Sequence, residues 1–505
     1  MLKNILILVV VVFAVFYPCL HAQFINLDDD GHILNNPALQ DLTLGSIKQV
    51  LMQTPNNTYI PLTSLSFALE KHFFGFNPIV FHLDNLLIYV LVVVLVMLLA
   101  NRLGLSQEAS FLAALLFAVH PMKVESVAWV TERKDVLYAL FYLLALHQYW
   151  SYLKTRSLKS YVAVFLCGFF SILAKPMAVS LPLILFLLDW YEGRRFGKQV
   201  FLEKIPIFIY IIGIAWITYA LNMHNPRTQM DQGILIWIWS LSFYVWHFLF
   251  PFFVCPYYGL PHPIIITHWP YASSLLTVLG LILLLVRFYK NKLFVFAVFY
   301  FICSIFFLLH FDKNGFGVVS DRFMFLPGLG ICLWLGSWFD GRIKSRWGKI
   351  IFLIFVALLG VRAHLQCRVW HDSVSFWNEV IRQNPDFYRA YVDRGAAYYQ
   401  QNQVELALLD YNKAIALKPD APKAYNNRAV IFDLYKQEDR AIDDLTKAIS
   451  LDPLAPLPYL NRSVLEDNQK QYPRALRDAL EASRLGGIVS ASYLKRLASE
   501  IRDKN

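Results

Sequence analysis

The sequence predicts an all-α membrane protein in two parts: a polytopic helical domain, then a helical-repeat solenoid. Three observations carry that expectation. Of 505 residues, 57% are hydrophobic and only 16% charged, where a soluble protein would carry about a quarter charged residues. Up to about residue 366, apolar runs alternate with short polar loops. From Trp370 onward the chain becomes rich in Asn, Gln, Asp, Lys and Ala and repeats itself at a fixed period.

The remaining composition excludes several classes. Six cysteines (Cys19, Cys167, Cys255, Cys303, Cys332 and Cys367) lie mostly inside apolar runs without a C-x-x-C pair, so neither a metal site nor a disulfide framework is expected. The net charge of +10 comes with no basic stripe interleaved with aromatics, so no nucleic-acid partner is expected. Cytoplasmic loops of a membrane protein account for that excess.

The first run, "MLKNILILVVVVFAVFYPCLHAQF", has the charge pattern of a signal peptide with Ala22 before Gln23, but Leu20 suits the cleavage poorly. A retained first helix is the reading adopted. Spanning hydrocarbon takes about 20 apolar residues. Candidates lie at 5–22, 79–100, 106–120, 135–153, 159–174, 176–190, 203–221, 235–253, 271–287, 293–310, 322–339 and 348–366. Basic loops are "KTRSLK" (154–159), "EGRRFGK" (192–198), "RFYKNK" (287–292) and "DGRIKSRWGK" (340–349). All of them fall on the side of Lys3 if the Trp- and Phe-rich segment 235–253 lies in the interface or re-enters, which leaves about eleven spans. The amino terminus is then cytoplasmic and the repeats lie outside.

On that topology the loops 23–78, 120–134, 222–270 and 312–323 and the turn at Lys175 share the outer face. Asp28, Asp29, Asp30, His120, Glu125, Arg133, Asp135, Lys175, Asp321 and Arg322 collect there. Three adjacent aspartates at a lipid edge repel one another, so they need a reason to stay. A solvated cap or a cation-binding turn is the plain one. Glu125 with Arg133 or Lys134, and Arg322 with Asp321 or Asp135, are also readable as structural ion pairs. His120 before Pro121 reads as a satisfied interfacial residue, and His262 and His268 as structural. Asp84, inside an apolar span, needs a partner such as Asn85 or His82.

The soluble end carries the clearest pattern. Pro385, Pro419 and Pro453 are spaced by 34, as are Arg394, Arg428 and Arg462, and Ala407, Ala441 and Ala475. A 34-residue period with small residues at a helix crossing and Pro at the turn is the tetratricopeptide signature. The expected layout is a membrane domain at 1–366, a linker and half-repeat at 367–387, three repeats at 388–489 and a capping helix at 490–505. Such arrays offer a concave groove for a peptide or protein, with Tyr391, Arg394, Asn427 and Arg428 as candidate docking residues.

"FINLDDDGHILNNPALQ", "HPMKVESVAWVTERKDVL", "AKPMAVSLPLILFLLDW" and "SDRFMFLPGLG" in this order, followed by the repeats, resemble the transmembrane and tetratricopeptide-repeat O-mannosyltransferases and their bacterial relatives. The resemblance implies a C-type glycosyltransferase fold using a polyprenyl-phosphate-linked sugar, with no metal required, although three acids could hold a divalent ion. It implies Asp28 and Asp29 as the catalytic acidic pair, with Asp30 an extra acid. Glu125, Arg133 and Asp135 follow "HP", and Asp321 and Arg322 precede "LP". Pro176 departs from the pattern, standing where many members have Glu after the Lys, so the resemblance supports the role of Lys175 less directly. "VESVAWVTERKDVL" is of bacterial type, which implies a bacterial inner membrane with periplasmic repeats, or the endoplasmic reticulum in a eukaryote.

The chemistry can be argued independently. Moving a sugar from a phosphate carrier to a hydroxyl needs a base for the hydroxyl proton and cations for the leaving phosphate. Asp28 with Asp29 supplies the first, and Arg133, Lys175 and Arg322 the second, with Asp30, His120, Glu125, Asp135 and Asp321 in support. The expected activity is inverting transfer of a sugar, mannose by the resemblance, to Ser or Thr of a protein outside the cytoplasm. Alternatives are another sugar, a lipid or glycan acceptor, or a catalytically silent scaffold that displays the repeats.

Overall fold

The computed structural model describes residues 1–222, 233–309 and 317–502. Parts of the expected external loops 222–270 and 312–323 therefore lie outside the described residues. Each apolar segment named above carries helix, and among the described residues there is no strand. The chain divides into two units, Met1–Ser375 and Phe376–Asn505.

In the first unit, among the described residues, five helices are long and apolar enough to cross a membrane: Leu2–His21, Pro78–Arg102, Lys198–Thr218, Trp269–Phe288 and Arg346–Trp370. Leu158–Ala174, Gly233–Leu249 and Lys292–Leu308 are shorter apolar helices. A sixth span is available if the bent pair Gln107–Val119 and Pro121–Ala128 is counted as one. Its 64° bend falls at Pro121, where the ring removes a donor and excludes the preceding residue from helical geometry.

That bend gives one segment a more enclosed form than expected. The stretch 120–134, expected as an external loop, is buried at every residue from His120 to Ala139. It folds inward as short helical turns, Pro121–Lys123, Val124–Ala128 and Val130–Glu132, before the Arg133–Thr155 helix begins. Elsewhere small residues set how closely helices approach. A Cβ on Gly336 would stand 2.7 Å from the Ala109 carbonyl oxygen, and one on Gly330 would clash with that of Ala297.

In the second unit, helix pairs Tyr388–Gln400 with Val404–Leu417, Pro422–Leu434 with Glu438–Leu451, and Pro456–Asn468 with Tyr472–Arg484 follow one another, then Ala491–Arg502. The equivalent arginines stitch these helices together. Arg394 grips Asp410 with Nε at 2.8 Å and Nη2 at 2.7 Å, and donates to Asn378 Oδ1 at 2.8 Å. Arg428 does the same with Asp444 and Asn412, and Arg462 with Asp478 and Thr446. Tyr391 donates to the Pro385 carbonyl at 3.0 Å and is buried. Tyr391, Arg394 and Arg428 are therefore internal fasteners, not free docking groups; Asn427, half-buried, accepts from Asn426 at 3.2 Å.

The turn inside each pair holds a left-handed residue at the same slot: Asn402 (φ 60°), Lys436 (φ 60°) and Lys470 (φ 61°). A Cβ is strained there, by about 1–2 kcal/mol, so Lys436→Gly is expected to raise the stability of the repeat unit slightly. Arg428→Leu is expected to lower it by about 1–2 kcal/mol, between the values for exposed and buried pairs. Chemical denaturation followed by far-UV circular dichroism checks both.

Candidate active site

Asp28 and Asp29 sit in the turn that follows the first helix and diverge at once. Asp29 is fully buried. Its Oδ1 accepts from Trp129 Nε1 at 3.0 Å, from the Thr131 amide at 3.1 Å and from the Thr131 hydroxyl, and its Oδ2 accepts from the Ile25 amide at 2.9 Å. Burial pushes its carboxyl up to about 6, against four donors that favour the ionised form. Asp29 thus pins the acidic loop onto the 129–131 turn. Asp28 is only half-buried, accepts from Asn56 Nδ2 at 3.1 Å, and lines a cleft of about 480 Å³.

Across that cleft stand Glu132, Lys134, Lys175 and Arg322, above an apolar rim that includes Phe307, Leu308 and Phe323. Glu132 is their centre. It lies 3.0 Å from Lys134 Nζ, 3.0 Å from Lys175 Nζ and 3.5 Å from Arg322 Nε. Burial would raise its carboxyl, but Lys134, Lys175 and Arg322 together outweigh burial and hold it well below the usual range. Two further acids secure the cations from behind. Asp135 Oδ1 lies 2.7 Å from Lys175 Nζ, while its Oδ2 accepts from Ser126 at 2.9 Å. Glu125 pairs with the Arg322 guanidinium and accepts from its amide at 3.0 Å.

Arg133 is not among the cleft cations. It turns the opposite way into the core, where Nη1 lies 2.5 Å from Glu70, Nε donates to Asn85 at 2.7 Å and Nη2 donates to the Phe81 carbonyl at 2.8 Å. Successive residues at a helix start point in different directions, and Lys134 takes the place expected of Arg133. Asp321 does not pair with Arg322. It accepts from Tyr258 at 2.9 Å, and burial together with nearby Glu125 pushes it well above the usual carboxylate range. His120 is buried, stacked on Phe248 at 3.9 Å between ring centres and bonded to its carbonyl at 2.8 Å. Asp84 adjoins the Glu70 carboxyl, while Asn85 serves Arg133.

Sequence reasoning missed Glu132, Asn56 and His32 entirely and weighed Lys134 only as an ion-pair partner. The available signal was "TERKD" at 131–135, four consecutive charges in an apolar surround, a density that only mutual pairing allows. His32 is buried near Asp28 and Lys134; burial and then Lys134 hold its imidazole down at about 4, so it is neutral at ordinary pH. Among the described residues no group of three or more His, Cys, Asp or Glu side chains is placed to hold a metal ion.

Comparison with known proteins adds the following. Residues 395–433 match a family model described as TPR repeat, and residues 422–453 match one described as Tetratricopeptide repeat. The chain is 39% identical over 140 residues to human "Protein O-mannosyl-transferase TMTC4", covering 23% of this chain and 19% of that protein. It is 34% identical over 140 residues to human "Protein O-mannosyl-transferase TMTC1", covering 26% and 16%. It is also 34% identical over 173 residues to "Protein O-mannosyl-transferase tmtc2" of Xenopus laevis, covering 32% and 21%. The chain spans about a fifth of the length of each of these relatives.

The two aspartates separate in a stability measurement. Asp29→Asn puts an amide N–H among donors and is expected to cost about 2–4 kcal/mol. Asp28→Asn should stay within about 0.5 kcal/mol of the parent. Thermal unfolding in detergent reads both. The same assay across pH tests Glu132. A carboxyl held below its unfolded value contributes stability above that value, near 4.5, and loses it as pH falls through the folded pKa. Glu132→Gln should therefore unfold earlier than the parent at pH 6, with the gap narrowing on acidification.

Proposed function

We propose that this chain, a member of the transmembrane and tetratricopeptide-repeat O-mannosyltransferase family, transfers mannose from a polyprenyl phosphate to Ser or Thr hydroxyls of a protein. The observation that carries the reading is one half-exposed carboxylate, Asp28, sharing a cleft with three cations, Lys134, Lys175 and Arg322. A scaffold gains nothing from such an arrangement, whereas sugar transfer from a phosphate carrier uses both halves.

In the proposed reaction the acceptor hydroxyl binds beside Asp28, with the donor phosphate toward the cations. The hydroxyl oxygen attacks the anomeric carbon from the face opposite the phosphate as the carbon–oxygen bond to phosphate breaks. Asp28 takes the hydroxyl proton, and the bonding electrons leave with the lipid phosphate. Attack on the opposite face inverts the anomeric centre. Negative charge grows on the leaving phosphate, and preorganised cations favour that change without reorganising water. In this reading the three cations, held by Glu132, Asp135 and Glu125, meet the phosphate charge, and no metal is invoked. Donor lipid and acceptor meet at the cleft, and the orientation proposed for it is extracytoplasmic, as is that of the repeats. The repeats are proposed to hold the acceptor, in a groove that includes Asn427.

The test is purified protein with radiolabelled polyprenyl-phosphate-mannose and Ser/Thr-rich peptides. Asp28→Asn should lower transfer by at least ~100-fold while remaining folded. Lys134→Ala and Arg133→Ala should both lower Tm, each breaking a buried ion pair, but only Lys134→Ala should lower kcat by a similar order in the protein that stays folded. Chelation of divalent ions should leave the rate unchanged. Label reaching peptide equally with Asp28→Asn would sink the assignment of the base.

A further inference from the structure

Asp28 is aimed by a second segment of the chain. Asn56 Nδ2 donates to Asp28 Oδ1 at 3.1 Å, and this is a contact between loops 28 residues apart in sequence. Asn56 holds φ 49° and ψ 37°, a left-handed conformation that L-residues adopt at a cost and that asparagine tolerates better than most. The Thr58 hydroxyl donates to the Asn56 carbonyl at 3.3 Å, and Thr58 itself lines the cleft.

Gly31 makes the contact possible. A Cβ at that position would stand 2.8 Å from Asn56 Oδ1 and 3.1 Å from its Nδ2. Gly31 lies in Asp30–Leu34, a single widened π turn, a geometry found preferentially at functional sites. A strained asparagine, a glycine that leaves room for its amide and a widened turn thus converge on one carboxylate oxygen. Strain of this kind persists where surrounding structure enforces it, often at active sites.

We propose that Asn56 is the positioning residue for Asp28. Its amide occupies Oδ1 and leaves Oδ2 to meet the acceptor hydroxyl. This deepens the reading of Asp28 as the base and rests on it. Asp28 shares the cleft lining with Glu132, Lys134, Lys175 and Arg322, and His32 on its own loop lies near it, whereas Asp29 is turned away onto Trp129 and Thr131. None of these groups is removed when Asn56 alone is changed, so the Asp28 titration tests the amide. A donor to the charged form lowers a carboxyl's pKa, so its removal raises it.

The experiment uses the full chain in detergent, with ¹³C-labelled aspartate and infrared titration, Asp28 being identified by subtracting the spectrum of Asp28→Asn. Asn56→Gly relieves the left-handed strain and removes the amide, and Gly31→Ala displaces it. Both should raise the Asp28 midpoint by roughly half to one pH unit, with Asn56→Gly at least as thermally stable as the parent. The acidic limb of kcat/KM for mannosyl transfer should move by the same amount, and the double variant should shift no further than either single one. An Asp28 midpoint unmoved in Asn56→Gly overturns the proposal, whatever the activity. Transfer that persists in Asp28→Asn overturns the base assignment instead, and the titration still decides the role of Asn56.

Discussion

Glu132 placed among Lys134, Lys175 and Arg322 is the constraint on which the membrane unit's cleft depends. Each cation taken from water to a buried site would be strongly destabilising alone. One carboxylate 3.0–3.5 Å from all three offsets much of that penalty. Asp135 and Glu125 then anchor Lys175 and Arg322 from the protein side. The result is a set of cations that do not need to rearrange when an anion arrives.

The same segment solves a second problem. The segment 120–139 is buried throughout, and it receives Asp29 on Trp129 and Thr131. One aspartate of the pair thus becomes an anchor, and its neighbour is delivered to the cleft edge. Adjacent carboxylates of one chemistry take different roles because their surroundings differ, one enclosed by donors and the other held at one oxygen by Asn56.

The repeat unit uses charge in a simpler way. Each clamp arginine spans three helices through one guanidinium, with two nitrogens on an aspartate and the third on a side chain of the preceding helix. The planar fork matches a carboxylate in a way that a lysine cannot. Repetition at 34 residues therefore marks how the array is held together before it marks what the array binds.

The sequence by itself determined the all-helical class, the two-part layout, the repeat period and the loops from which the site is drawn. Those follow from hydropathy, from Pro and small-residue spacing, and from charges standing out in apolar surroundings, all of which are local properties. Which member of each charged run faces the cleft was decided only by the tertiary structure. Arg133 and Lys134 are neighbours of like charge, yet one meets Glu70 in the core and the other meets Glu132 at the cleft. Asp28 and Asp29 divide in the same way, and Arg394 and Arg428, legible as groove residues, are consumed by Asp410 and Asp444. Composition cannot distinguish these fates. The direction of a side chain depends on the turn that carries it and on partners tens to hundreds of residues away.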